Sequence, residues 1–237
     1  MPRVTKDITI PAGGGEMPAF MAVPAVLPAP ALVIVPSIFG VGAVARETAT
    51  TFADNGYLTL VLDVFFRTSP GPKNIADPNA MVDAIGRAES FDHDRGLRDM
   101  TAARGYALAL PECNGKWAMI GYCFGGRYTL IAGAYMEADA VAAFHPSRMG
   151  MELVAAAKIR VPTSFHFGGA DAQVPPAEIE DVRQALAANP LAETYVYPGV
   201  AHGFTTPGGP AFNADATRVS MERALSMLAQ LKTPARV

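Results

Sequence analysis

The residues best suited to do chemistry sit in one short run. Lys116-Trp117-Ala118-Met119-Ile120-Gly121-Tyr122 reads as an apolar strand and runs directly into Cys123-Phe124-Gly125-Gly126. The spacing is Gly-x-Cys-x-Gly, the nucleophile-elbow pattern with a thiol in place of the serine hydroxyl. A strand-to-helix turn this sharp strains the backbone at its apex, and Gly121 and Gly125 are expected to remove the Cβ atoms that would block it. A sulfur held there would lie beside a helix N-terminus, whose dipole favours an anion.

Two later runs end in groups that could serve that sulfur. Ser164-Phe165-His166-Phe167 leads into Gly168-Gly169-Ala170-Asp171, and Thr194-Tyr195-Val196-Tyr197 leads into Pro198-Gly199-Val200-Ala201-His202-Gly203. An imidazolium beside a thiol lowers its pKa from about 8.5 into the neutral range. A carboxylate behind the imidazole fixes its tautomer and stabilises its charged form. An oxyanion formed on attack needs two backbone donors. The Phe124 N–H, next after the nucleophile, is one, and the Ile38 N–H, in the loop after the third strand, is expected to be the other. His145, in Phe144-His145-Pro146-Ser147, either lines the pocket or makes structural hydrogen bonds. His166 reads as core, inside its strand. His93, between Asp92 and Asp94, carries no metal expectation, because no further ligands close the spacing.

These residues need a scaffold, and the hydrophobic pattern supplies one. Short strands at 7–10 and 18–23 flank Gly13-Gly14-Gly15 and predict an antiparallel hairpin. Continuous apolar runs at 31–35 and 57–64 predict strands buried on both faces, with a helix at 43–54 between them, ended by Asn55-Gly56. The stretch 65–79 is too long for a plain connector and reads as a pocket wall or lid. Residues 81–110 read as helix, broken near 91–94. Strand 117–122 and helix 124–136 frame the elbow. Strands at 141–144, 163–167 and 194–197, with helices at 176–188 and 212–231, complete the chain. The alternation predicts an α/β fold with a mostly parallel central sheet and helices on both faces. Ligands in such sheets bind beyond the carboxyl ends of the strands. The order nucleophile, acid, histidine is that of an α/β-hydrolase.

Composition excludes several other classes. At 237 residues, half of them hydrophobic, the chain suits one domain with a large core. A formal net charge of −3 without basic runs argues against a nucleic-acid partner. No apolar run approaches the roughly 20 residues of a membrane span, and the first residues lack a signal-peptide core. Two cysteines, Cys113 and Cys123, make no disulfide framework and suit a reducing, cytoplasmic setting, with Cys113 a spectator.

Taken together, Ile38-Phe39-Gly40, Arg46-Glu47-Thr48, Gly121-Tyr122-Cys123-Phe124-Gly125-Gly126, Gly168-Gly169-Ala170-Asp171 and Ala201-His202-Gly203-Phe204 make the chain resemble the dienelactone hydrolase (carboxymethylenebutenolidase) family over nearly its full length. The resemblance implies a single α/β-hydrolase domain over 1–237, no cofactor, a monomer, and a Cys123–Asp171–His202 triad. It implies acylation of the thiol by a lactone or small ester, then hydrolysis of the thioester by water activated by His202.

The sequence departs from the family in three places. Ser37 stands where well-studied members carry a glutamate that helps deprotonate the thiol. Thr205-Thr206 and Met81 stand where dienelactone specialists place arginines for the substrate carboxylate. Ile85 and Ala88 replace pocket aromatics. A carboxylate held without a bidentate arginine is held weakly, so a more apolar pocket is expected, lined by Ser37, Phe39, His145, Arg148 and Phe204. Arg148, Arg67 and Arg87 are the remaining candidate cations. Two rival readings are a degenerate binding protein on the same fold, and a redox or acyl-transfer role for Cys123. The intact trio weighs against the first. Cys113, beyond the elbow strand, weighs against redox pairing.

Overall fold

Gly13 and Gly14 separate two extended runs, so the chain must reverse there with positive φ at both central residues. In the computed structural model, which describes residues 3–74, 77 and 79–233, β1 (Val4–Ala12) and β2 (Gly15–Val23) pair antiparallel with Ala12 opposite Gly15. Gly13 and Gly14 take φ of +35° and +83°. Contacts gather into two compact units, one reaching to Trp117 and the other covering Ala118–Thr233.

The first unit orders its strands β1-β2-β4-β3, with β3 (Ala29–Val35) and β4 (Leu58–Leu62) parallel and buried at every position. Their crossover is α1 (Ala43–Asp54), which buries Ala49, Phe52 and Ala53. The helix stops because Gly56 takes φ +84°. Its N–H returns to the Ala53 carbonyl, and the Tyr57 N–H to that of Phe52. This is the Schellman pairing that the Asn-Gly signal predicts. Of the stretch 65–79, residues 75, 76 and 78 lie outside the described residues. Upstream of them, Asp63 Oδ2 accepts the Gly71 N–H at 2.7 Å and holds the loop, as its place after β4 suggests. The long helical pattern divides into α2 (Ala80–Glu89) and α3 (His93–Ala109). Asp92 caps α3 by accepting the Arg95 N–H at 2.9 Å. Phe91 folds over the first turn of α3, where a Cβ on Gly96 would lie 2.2 Å from the ring.

The chain enters the second unit along β5 (Cys113–Tyr122). This strand starts earlier than expected and absorbs Asn114-Gly115. Gly115 has φ +84°, and Asn114 Oδ1 takes the Lys116 N–H at 3.0 Å, so a local turn is carried inside the strand. β5, β6 (Ala140–Phe144), β7 (Thr163–Gly168) and β8 (Ala192–Tyr197) are parallel neighbours in that order. A 3-10 turn at Met149–Glu152 and a one-turn helix α5 (Leu153–Ala156) lie between β6 and β7. Runs this short carry no helical period, and the sequence reading contains neither. α4 (Gly126–Tyr135), α6 (Pro176–Ala185) and α7 (Ala214–Leu228) complete the unit, and α7 packs on β6 and β7.

Pairing places Tyr122 beside Phe144, Phe144 beside His166, and His166 beside Tyr195. Their rings stack in one row at centroid separations of 4.8, 5.0 and 5.3 Å. The Arg223 guanidinium of α7 closes the row, 4.0 Å from the Tyr195 centroid. His166 bonds Ser164 Oγ and Tyr197 Oη, each at 2.9 Å. Burial and the Arg223 charge push its pKa down to about 3, so it is the neutral core ring its position suggests.

Gly96→Ala is expected to lower unfolding stability by about 1–3 kcal/mol, because Phe91 must leave its buried site to admit one methyl group. Urea denaturation checks this, with a lower midpoint at an unchanged slope as the expected result.

Candidate active site

A cysteine at the end of a β-strand has its side chain aimed by the backbone of the turn that follows. Cys123 directly follows β5 with φ +50°, a conformation uncommon for any non-glycine residue. It opens a 3-10 turn, Cys123–Gly125, that runs into α4. A Cβ on Gly121 would lie 2.4 Å from the Gly125 carbonyl oxygen, and one on Gly126 would lie 2.2 Å from Pro146 Cβ. Gly125 itself has ordinary right-handed helical angles, φ −65° and ψ −20°. The close approaches therefore fall on Gly121 and Gly126, the second lying one residue outside the five-residue motif. The Cys123 carbonyl accepts the Ser147 N–H at 3.1 Å, which ties the apex to the loop after β6.

Asp171 and His202 follow β7 and β8, and their loops interlock through backbone. Gly169 and Ala170 donate to the carbonyls of Tyr197 and Val200 at 2.7 and 2.9 Å. The approach requires two glycines, since a Cβ on Gly168 would lie 2.4 Å from the Val200 oxygen and one on Gly169 would lie 2.9 Å from the Tyr197 oxygen. Asp171 Oδ1 accepts the Gln173 N–H at 2.8 Å. Its Oδ2 lies 2.6 Å from His202 Nδ1, and His202 Nε2 lies 3.0 Å from Cys123 Sγ. The acid side chain is 1 % exposed and the imidazole 14 %, so the contact is shielded from water. Burial alone would lower the His202 pKa. Hydrogen bonds to Asp171 and Cys123, with their charges, outweigh it and raise the value to about 10. At neutral pH the ring therefore holds protons on both nitrogens.

The other expected site residues fall in different places. His145 directly follows β6, buried, with φ +39°. It meets the His202 ring edge-on at 5.1 Å and bonds Thr205 Oγ1 through Nε2 at 2.8 Å. The structural hydrogen bond is therefore present, and the ring also touches His202. Phe204 is fully buried in a cluster with Tyr197, Val200 and Ala216, so it supports the His202 loop from within the core and does not line a pocket. Arg148, with φ +57°, is exposed at the start of the 3-10 turn after β6.

In the first unit, Ser37 Oγ accepts the Phe39 N–H at 3.3 Å, and Phe39 is half-buried. The Ile38 carbonyl accepts from Arg87 Nε at 2.7 Å. Arg87 is buried against Phe65 and also donates to the carbonyls of Ser69 and Gly71 at 3.0 and 2.8 Å. Arg67 grips both oxygens of Asp99 at 2.8 and 3.0 Å. Both arginines are committed to the fold, which corrects their expected availability to a substrate. His93 packs edge-on to Phe91 at 5.5 Å, and among the described residues no three metal-ligating side chains gather where they could hold an ion. No described helix is long and apolar enough to cross a membrane. Gln173 carries no signal in a single sequence, and the partners that Thr205 and Gly126 meet on folding, His145 and Pro146, are equally invisible there.

A cysteine on a strand-to-helix apex, met by a histidine and an acid on loops after later parallel strands, has the arrangement seen in α/β-hydrolases. Residues 17–232 match the model of the dienelactone hydrolase family, and the chain belongs to that family. It is 31 % identical over 232 residues to a carboxymethylenebutenolidase of Pseudomonas putida, covering 97 % of this chain and 98 % of that one. It is 30 % identical over 222 residues to carboxymethylenebutenolidase 1 of Cupriavidus pinatubonensis, covering 93 % and 94 %. A solved structure from Klebsiella pneumoniae, classed with the dienelactone hydrolases, superposes with a TM-score of 0.85 at 25 % identity, over 96 % of this chain and 99 % of that one. A dienelactone hydrolase of Anabaena variabilis, at 18 % identity, shares the fold with a TM-score of 0.73, over 98 % and 100 %.

Gly168→Ala is expected to cost about 2 kcal/mol or more, because the added methyl group meets backbone oxygen on the partner loop. Thermal unfolding checks this, with the single transition moving to lower temperature.

Proposed function

We propose that the chain hydrolyses a lactone or small carboxylic ester with Cys123 as nucleophile, His202 as proton carrier and Asp171 as its orienting acid. The observation that supports this most is the unbroken line from Asp171 Oδ2 through His202 to Cys123 Sγ, with contacts of 2.6 and 3.0 Å. An imidazolium donor stabilises the thiolate, the form that attacks. Sulfur adds to the carbonyl carbon, and the Phe124 N–H is our assignment for a donor to the oxyanion. Collapse breaks the acyl carbon–oxygen bond while His202 Nε2 passes its proton to the departing alkoxide. His202, now neutral, takes a proton from water as the water attacks the thioester. The second collapse expels the thiolate and restores the ion pair, so protons balance over the cycle.

The curated relatives are named carboxymethylenebutenolidases. For this chain an uncharged substrate fits better. Thr205, one of the two threonines that stand where the resemblance implies a carboxylate-binding arginine, spends its hydroxyl on His145. Loss of a charge-assisted contact is worth about tenfold or more. Turnover of p-nitrophenyl acetate, p-nitrophenyl butyrate, a dienelactone and an uncharged lactone tests the proposal. Cys123→Ala is expected to lower kcat at least about a thousand-fold, and the uncharged lactone to exceed the dienelactone in kcat/KM about tenfold. Undiminished turnover in Cys123→Ala would refute the assignment.

Thiol reactivity gives an independent check. His202 keeps its extra proton until pH rises through about 10, so the alkylation rate of Cys123 by iodoacetamide should stay high and nearly level from neutral pH to that point. In His202→Ala the rate should be low at neutral pH and climb with the ionisation of a free thiol near about 8.5.

A further inference from the structure

The loop that carries His202 is pinned at one side by Asp171. A second contact pins it from β6. His145 stands at the carboxyl end of that strand with φ +39°, and its N–H donates to the His166 carbonyl at 2.7 Å. Its backbone is therefore fixed by the neighbouring strand. Its side chain is 2 % exposed, with Nε2 on Thr205 Oγ1 at 2.8 Å and Nδ1 buried without a hydrogen-bond partner. Thr205 lies three residues after His202. Gly203 between them has φ +79°, so this link fixes the far side of a turn that has little stiffness of its own. The His145 ring also meets His202 edge-on at 5.1 Å and Phe204 edge-on at 5.5 Å, filling the angle between the catalytic ring and the core.

A buried histidine with one ring nitrogen unpaired is unfavourable by itself, since the desolvation of that nitrogen is not offset by a hydrogen bond. A phenylalanine would fill the same space without that penalty. What a phenylalanine lacks is the link to Thr205. We propose that His145 and Thr205 form a positioning pair that holds His202 Nε2 on Cys123 Sγ, acting through the loop and touching neither substrate nor sulfur. The inference rests on the triad reading above. Asp171 restrains the ring at Nδ1 and leaves rotation about that contact free, and the His145 edge and the Thr205 tether oppose that rotation.

The test compares His145→Phe, Thr205→Val and the double variant, with His145→Gln as the variant able to remake a bond to Thr205. The readouts are the pH profile of Cys123 alkylation by iodoacetamide and the split between kcat and KM on p-nitrophenyl acetate. Each single variant is expected to lower neutral-pH alkylation about tenfold, to move its rise toward alkaline pH, and to lower kcat by 10- to 100-fold at little-changed KM. The double variant should be no worse than either single one, since both remove one bond, and His145→Gln should recover part of the loss. Variants whose alkylation profiles overlay an activated wild type would overturn the inference, including where stability alone falls. A wild type that alkylates like a free thiol would overturn the triad reading itself, and this inference with it. Effects of the two single variants that simply add would also refute the pair.

Discussion

The left-handed backbone of Cys123 is the constraint on which the site depends. A non-glycine residue at φ +50° sits in a sparsely populated region, at a cost of about 1–3 kcal/mol that its surroundings must sustain. Here they do so by exclusion of space. Gly121 lets the strand pass within contact of the turn, and Gly126 lets the helix press against Pro146. The Ser147 N–H anchors the Cys123 carbonyl from the next strand's loop. Relaxing the apex would require all three neighbours to move together. The sulfur is held in a defined place on the turn, which is the preorganisation that the proposed nucleophilic role needs.

Electrostatics then divides two adjacent histidines into opposite roles. His202 has a carboxylate behind it and a sulfur in front, and its pKa rises to about 10. His145, 5.1 Å away, is held well below the usual histidine range by burial and by the positive charge on His202. One ring carries the proton and the other stays neutral, so the pair avoids like-charge repulsion in a shielded space. Titratable neighbours whose environments drive them apart mark acid and base assignments in enzymes generally.

Much of this was legible in the sequence, for definite reasons. Buried parallel strands are continuous apolar runs, so 31–35 and 141–144 announced themselves. Asn55-Gly56 carried its own stop signal. The meeting of Cys123, Asp171 and His202 was foreseeable because Cys123 directly follows such a run and the other two lie on the short loops after two later strands, and strand ends are where these sheets gather chemistry. What escaped was whatever depends on distant partners. Thr205 meets His145 across 60 positions. Arg87 looked like a cation free for a substrate, and is consumed by the carbonyls of Ile38, Ser69 and Gly71. Phe204 lies two residues after His202, yet packs into the core. The glycine that clears the helix side of the elbow proved to be Gly126, because only the fold reveals that Pro146 lies against it.

The row of rings across β5 to β8 has a bearing beyond packing. Tyr122, Phe144, His166 and Tyr195 come from four separate strands and meet at one level only when every strand is in step. A slip of one residue would turn a ring to the opposite face and break the row. The row thus acts as a vernier on the sheet. Tyr122 is its first mark, and the residue after Tyr122 is Cys123, so the reading that aligns the strands also sets where the sulfur stands.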